Sequence, residues 1–286
     1  MAFPRQVPFV PKHSATHELA TDVVYAEVAG VALRYDWFRP LGVSDPTPGV
    51  VFVHGGGWTG GDPSQAAGNG LHFAHRGIAT VSISYRLAPQ HRFPAALDDV
   101  RHGLRHVRAH ATEFGIDPDR LFLMGLSAGA HLAMLAHLAR PVSALAPDLP
   151  DALRAVSEDV LGVIAHYGPY DLARRKPIDG WDPIADLMGE RVEDPEWVHL
   201  ASPAQHATFA TAPILLIHGT ADTVVSHRES ERMHKALVEA GRSSELLILD
   251  GAPHAFQVDW RGEANQRANA AMDAFIDRLL GRESAA

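Results

Sequence analysis

The stretch Leu121-Phe122-Leu123-Met124-Gly125-Leu126-Ser127-Ala128-Gly129-Ala130-His131-Leu132-Ala133-Met134-Leu135-Ala136 decides the fold. An apolar run of strand character enters a Gly-x-Ser-x-Gly pentapeptide, and an alanine-rich run of helical character leaves it. A serine on so sharp a strand-to-helix turn is strained and holds its hydroxyl above the end of a sheet. Glycines two residues before and after it let backbone approach where a Cβ would collide. The five letters alone are weak. In a chain of 286 residues with 24 glycines, chance gives roughly 0.1 such matches. The flanking pattern gives them weight.

Outward from this stretch, apolar and β-branched runs alternate with helical segments. Residues 23–28 and 33–38, separated by Ala29-Gly30, read as an antiparallel hairpin. The later runs at 50–53, 78–84, 121–124, 161–165, 214–217 and 246–249 are nearly continuous in Val, Ile and Leu, as in strands covered on both faces. Between them, Leu97, Val100, Leu104 and Val107, then Met233 and Leu237, then Ala268, Met272, Phe275 and Leu279 recur at helical spacing. The pattern predicts an α/β fold: an eight-stranded, mostly parallel sheet with helices on both faces, residues 1–286 forming one domain. Residues 170–211 lack a strand and carry Trp181, Trp197 and several prolines. A connection of that length reads as a lid or a substrate-binding insertion.

Composition narrows the function. The formal charge of −9 and the absence of dense basic runs argue against nucleic acid and against a charged membrane-surface patch. The chain contains no cysteine, which excludes disulfides, thiolate metal sites and thiol nucleophiles. No run is long and apolar enough to span a bilayer, and the N-terminal residues lack a signal peptide's apolar stretch, so the cytoplasm is the expected compartment. Carboxylates are not clustered at ligand spacing, and no Gly-x-Gly-x-x-Gly follows the first strand. Neither a metal nor a nucleotide cofactor is expected. A homodimer is compatible with the chain.

Every distinctive motif follows a predicted strand, and so belongs on one sheet edge. His54-Gly55-Gly56-Gly57-Trp58 follows the third, the Ser127 turn the fifth, His218-Gly219-Thr220-Ala221-Asp222 the seventh and Gly251-Ala252-Pro253-His254-Ala255-Phe256 the eighth. Acyl transfer needs a nucleophile, a base, a carboxylate that orients the base, and donors for a developing oxyanion. Ser127 supplies the hydroxyl and His254 the base, since imidazole exchanges a proton near neutral pH. Asp222 supplies the carboxylate, with Asp171 and Asp250 as rivals. The Gly55–Gly57 run can present bare N–H groups, joined by the N–H of Ala128. His54 reads as a brace for its loop, and Arg86 with Asp98 and Asp99 as a structural ion-pair set. Trp58, Tyr170, Trp181, Trp197 and Phe256 are candidates for the substrate pocket by aromatic character and strand-end position alone.

At these residues the chain resembles the hormone-sensitive-lipase-like serine esterases. Tyr85-Arg86-Leu87-Ala88-Pro89-Gln90-His91-Arg92-Phe93-Pro94-Ala95-Ala96 follows that family's Tyr-Arg-Leu-Ala-Pro-Glu-His-x-Phe-Pro-Ala-Ala stretch almost letter for letter. The similarity spans residues 20 to 280. It implies an α/β-hydrolase fold, no cofactor, hydrolysis of small-molecule carboxylic esters, and oxyanion donors at the amides of Gly56, Gly57 and Ala128. Leu126 stands where lipase-like members carry Asp, and Asp222 sits in a His-Gly-Thr-Ala-Asp setting. Both features look closer to the feruloyl- and acetylxylan-esterase-like branch. An arylformamidase or other amidase is the alternative the same motifs allow, with an acyltransferase or an inactive ligand-binding protein further off.

Overall fold

The two positive-φ residues Ala29 (φ 51°) and Gly30 (φ 77°) turn the first hairpin in the sense that matches the natural twist of its strands. The structure, a computed structural model, describes residues 17–44, 46–174, 177 and 180–282. The hairpin joins β1 (His17–Val28) to β2 (Val31–Pro40), and β2 runs antiparallel to β4 (Ala79–Ile83). From there β3 (Thr47–Val53), β5 (Ile116–Leu126), β6 (Gly162–His166), β7 (Ile214–Gly219) and β8 (Ser244–Leu249) continue the sheet in parallel. All eight expected strands form, in the order β1-β2-β4-β3-β5-β6-β7-β8.

Helices α1 (Ala67–His75), α2 (Ala95–Ala109), α3 (Ala128–Leu138) and α4 (Asp151–Arg154) lie between the earlier strands. Helices α5 (Pro183–Met188) and α6 (Pro195–Leu200) lie between β6 and β7. Helix α7 (Arg228–Glu239) precedes β8, and α8 (Glu263–Leu279) ends the described chain. Strand side chains alternate between two core layers, as a period of two requires. Val51, Val53, Leu121, Leu123, Val163 and Leu216 pack with α2, α3 and α7 through residues such as Leu97, Leu132 and Met233. Val50, Phe52, Phe122, Met124, Ile164 and Ile217 pack with α1 and α8 through Phe73, Met272 and Phe275. Burial on both faces explains why these strands read as continuous apolar runs. Helix α3 is buried at every position, so its sequence is apolar all round instead of striped.

The strand order reverses at β3, whose two neighbours are β4 and β5. A crevice opens beyond the carboxyl ends of strands at such a switch point. Val53 pairs with Gly125 there, which sets the start of the 54–58 loop beside the Ser127 turn. No helix of the described residues is long and apolar enough to cross a membrane.

One charged cluster beneath α2 carries a pH signature. The Arg86 guanidinium grips Asp99 with Nε at 2.8 Å and Nη2 at 2.9 Å, and the Arg86 amide donates to the same carboxylate at 2.8 Å. Asp98 takes no part in that clamp. Burial first, and then the neighbouring Asp99 charge, push its carboxyl up to about 7, against the pull of Arg101 and Arg86. A carboxyl whose folded value is raised destabilises the fold increasingly as pH climbs from about 4 to about 7, and by a constant amount above. Asp98→Asn is therefore expected to be more stable than the parent at pH 8, with the gain vanishing near pH 4. Urea unfolding at the two pH values measures this.

Candidate active site

Backbone strain is concentrated where the strands end. Six non-glycine residues have positive φ among the described residues, and four of them, Trp58, Ser127, Tyr167 and Ala255, line one cavity. Conformations of this kind cost about 1–3 kcal/mol each and persist where the surroundings over-determine them. At Ser127, with φ 52° and ψ −118°, the Ser127 N–H donates to the His166 carbonyl at 2.9 Å and holds the turn to β6. A Cβ on Gly125 would lie 2.2 Å from the Gly129 carbonyl oxygen, and one on Gly129 would lie 2.2 Å from that of Val53. Both obstacles are backbone, so the two glycines of the pentapeptide answer to close approach.

The turn aims the Ser127 hydroxyl at His254, whose Nε2 stands 3.0 Å from Oγ. The other ring nitrogen, Nδ1, donates to Asp222 Oδ2 at 2.6 Å. Asp222 has no side-chain exposure. Its Oδ1 accepts the N–H groups of Val224 and Val225, both at 2.8 Å, and Oδ2 also faces His218 Nε2 at 3.1 Å. Burial alone would raise this carboxyl, but the hydrogen bonds from His218, His254 and the Val225 amide hold it below the usual carboxylate range. His218 is fixed in turn by the Ser230 hydroxyl on Nδ1 and the Val225 carbonyl on Nε2. Asp171, the first rival to Asp222, pairs with Arg174, and Asp250 accepts from the Thr220 hydroxyl. Neither reaches His254.

The loop after β3 is braced from below. The Tyr85 hydroxyl donates to the His54 carbonyl at 3.1 Å, and its ring stacks on the His54 imidazole at 4.2 Å. Imidazole Nδ1 of His54 donates to the Gly55 carbonyl at 2.8 Å, and burial lowers this ring to about 4, so it stays neutral. Gln65 Oε1 accepts the Gly55 N–H at 3.0 Å, and the Gly56 carbonyl accepts from Thr59 and Gly60. The amides of Gly56 and Gly57 take no such bond among the described residues, and they line the cavity with Ser127 and Ala128. Ala128 is the first residue of α3, where an N–H lacks an intrahelical acceptor and the helix dipole is positive.

The cavity encloses about 1470 Å³ and admits Ser127, His254, Trp58 and Trp181 to its lining. Trp58 is almost wholly buried, and its Nε1 donates to His131 Nδ1 at 3.2 Å. His131 Nε2 then donates to the Ala201 carbonyl at 2.7 Å, and burial lowers this imidazole to about 4, which keeps it neutral for both bonds. Trp181 is 42% exposed, with its ring over Gly57. Three pocket candidates are elsewhere. Tyr170 is fully buried in the core layer of α3. Trp197 packs on Phe93 and under Arg191, and Phe256 lies beneath the site against His166 and Tyr167. Aromatic rings serve core packing as readily as ligand contact, which is why composition and position misplace them.

Tyr167, Gln65, Gln257 and His218 are site residues that the motifs leave without a role. His218 carried a signal, a histidine four residues before Asp222 on the same strand end. Residues 170–211 divide in two: Asp171, Arg174, Trp181, Pro183 and Ile184 line the cavity, while Leu187, Val198, Ala201 and Ala207 are core. His102 and His106 on α2 and His110, which caps its end, recur at four-residue spacing, a pattern that can ligate a metal. Here His106 stacks on His110 and packs at a tilt against Tyr25. No group of three or more His, Cys, Asp or Glu among the described residues is arranged to hold a metal ion.

Residues 35–237 match the BD-FAE family. The chain is 31% identical to esterase LipC of Mycobacterium tuberculosis over 78% of its own length and 56% of the relative's. It is 30% identical to esterase LipQ of the same organism over 98% and 67%. The chain thus spans between about half and two thirds of these relatives. Among solved structures, esterase 2 of Thermogutta terrifontis with propionate bound superposes with a TM-score of 0.76 and 26% identity, covering 92% of this chain and 94% of that one. The same esterase has been solved phosphorylated by paraoxon, at 27% identity and a TM-score of 0.75, covering 92% and 94%. The fold is that of the α/β-hydrolases.

Proposed function

The chain belongs to the BD-FAE family, and on that premise we propose that it is a serine carboxylesterase acting on small to medium esters through an acyl-enzyme. The observation that carries this reading is the unbroken line from Ser127 Oγ through His254 to Asp222, at 3.0 and 2.6 Å. His254 Nε2 takes the Ser127 proton as Oγ bonds to the ester carbonyl carbon. The charge that develops on the carbonyl oxygen is met by the N–H groups of Gly56, Gly57 and Ala128, each such donor being worth about 10²–10³ in rate. The carbon–oxygen bond to the alcohol then breaks, and Nε2–H protonates the leaving oxygen. Water repeats the sequence against the acyl-enzyme and releases the acid and free Ser127.

Asp222 keeps Nδ1 protonated, so that Nε2 is free to accept. Asp171, Arg174, Trp181, Pro183 and Ile184 line the cavity that holds the reacting centre, with Trp181 beside the oxyanion loop. Esterase 2 of Thermogutta terrifontis, which paraoxon phosphorylates, lends the nucleophile its support. A panel of p-nitrophenyl esters from acetate to palmitate, with methyl ferulate and N-formylkynurenine, tests the reading. Turnover of the shorter esters is expected. Hydrolysis of N-formylkynurenine with no ester turned over would replace esterase by amidase.

A further inference from the structure

The charged side chains described on the cavity that holds Ser127 come from one part of the chain. Among the described residues, the cavity's only acidic or basic lining side chains besides histidine are Asp171, Arg174, Arg228, Glu229 and Arg232. All five come from the segment after β6 and the first turns of α7. Histidines apart, the rest of the described lining carries no acidic or basic side chain, and Leu71, Val258 and Trp260 on it are exposed.

Both carboxylates of this set are already committed. Asp171 pairs with Arg174 at 2.8 Å. Glu229 pairs with Arg232 and accepts the amides of Tyr170 and Asp171 at 3.2 and 3.0 Å. Arg228 is exposed and its guanidinium has no partner among the described residues. It opens α7, where the helix dipole is positive and a cation is disfavoured. The other acid of that turn, Glu231, faces His227. An unpaired cation at the positive end of a helix is mildly unfavourable, and its place on the lining of the active-site cavity leaves it open to an anion bound there.

Arg228 also stays close to the reaction. It stands six positions after Asp222, and the turn between them is pinned by the amides of Val224 and Val225 on that carboxylate. An extended chain of that length reaches at most about 20 Å, and this one is folded. We propose that the substrate carries a second, anionic group, a carboxylate or phosphate, which pairs with Arg228 while the ester lies at Ser127. This rests on the esterase reading of the site, and it adds the substrate class: an anionic ester.

The test compares matched esters. p-Nitrophenyl hydrogen adipate against p-nitrophenyl hexanoate places the anion on the acid side, and p-acetoxybenzoate against p-tolyl acetate places it on the alcohol side. In at least one pair, the anionic-to-neutral ratio of kcat/KM is expected to fall about tenfold in Arg228→Gln, chiefly through KM, and further in Arg228→Glu. Added salt is expected to shrink the parent's ratio, because exposed charges are screened. Binding is read separately in the Ser127→Ala protein, by tryptophan fluorescence, with monomethyl adipate against methyl hexanoate. Tighter binding of the anion that is lost in the double variant with Arg228→Gln supports the proposal even where no ester is hydrolysed. Ratios unchanged by Arg228→Gln in both pairs, with equal binding of the two methyl esters, overturn it. Retained anion selectivity without turnover would instead remove the esterase reading.

Discussion

Ser127→Ala is expected to lower kcat/KM for p-nitrophenyl acetate on the order of a millionfold while leaving the fold intact. Removing the nucleophile of a triad removes the acyl-enzyme route altogether, and the remaining donors give only the residual rate of an oxyanion hole and a binding site. Ser127 contributes little else. Its hydroxyl reaches only His254 Nε2, and its backbone bond to the His166 carbonyl does not depend on the side chain. Alanine in the same positive-φ conformation is strained no more than serine, so urea unfolding should shift by less than about 1 kcal/mol. Loss of activity together with loss of the unfolding transition would mean that the residue supports the fold.

Asp222→Asn should cost about 10⁴ in kcat, and the geometry says why the amide cannot rotate out of trouble. Oδ1 accepts two backbone N–H groups, from Val224 and Val225, so the amide oxygen must take that position. The NH₂ group is then forced into the place of Oδ2, against His254 Nδ1 and His218 Nε2. His254 must accept there, which puts its proton on Nε2, where Ser127 needs an acceptor. His218 Nε2, which also bonds the Val225 carbonyl, is left facing a second donor. Stability should respond as well. The Asp222 carboxyl is held below its ordinary value of 3.8, so its contribution is present above that value and is lost as pH falls through the lower folded one. The parent is expected to lose stability steeply between about pH 5 and pH 2, and the asparagine variant to lose less over the same window. Stopped-flow kinetics and urea titrations across that range measure both effects.

The sheet was legible because its strands are buried on both faces. Runs such as 50–53 and 214–217 cannot be read as amphipathic helices, and the turn residues between them mark the ends. The proposed triad could be put forward from sequence because each member follows a strand, and the order of those strands sets which ends meet. What could not be read is whatever depends on side chains crossing between loops. Gln65 braces Gly55 from ten residues away, and Tyr167 takes a strained backbone beside His254. Neither leaves a local pattern. Tyr170 and Trp197 show the converse, since an aromatic ring near a strand end packs into the core by the same chemistry that would let it line a pocket. Asp98 and Asp99 are adjacent in sequence, yet only Asp99 meets Arg86, because consecutive helix positions face in directions about 100° apart.

The central claim is that Ser127 is the nucleophile, and paraoxon reads it directly. Intact-mass analysis of the protein after exposure, followed by peptide mapping, should find one diethylphosphoryl group on the Ser127 peptide, and none after Ser127→Ala. A phosphoryl group on any other residue of the parent, or continued labelling of the alanine variant, would contradict the assignment.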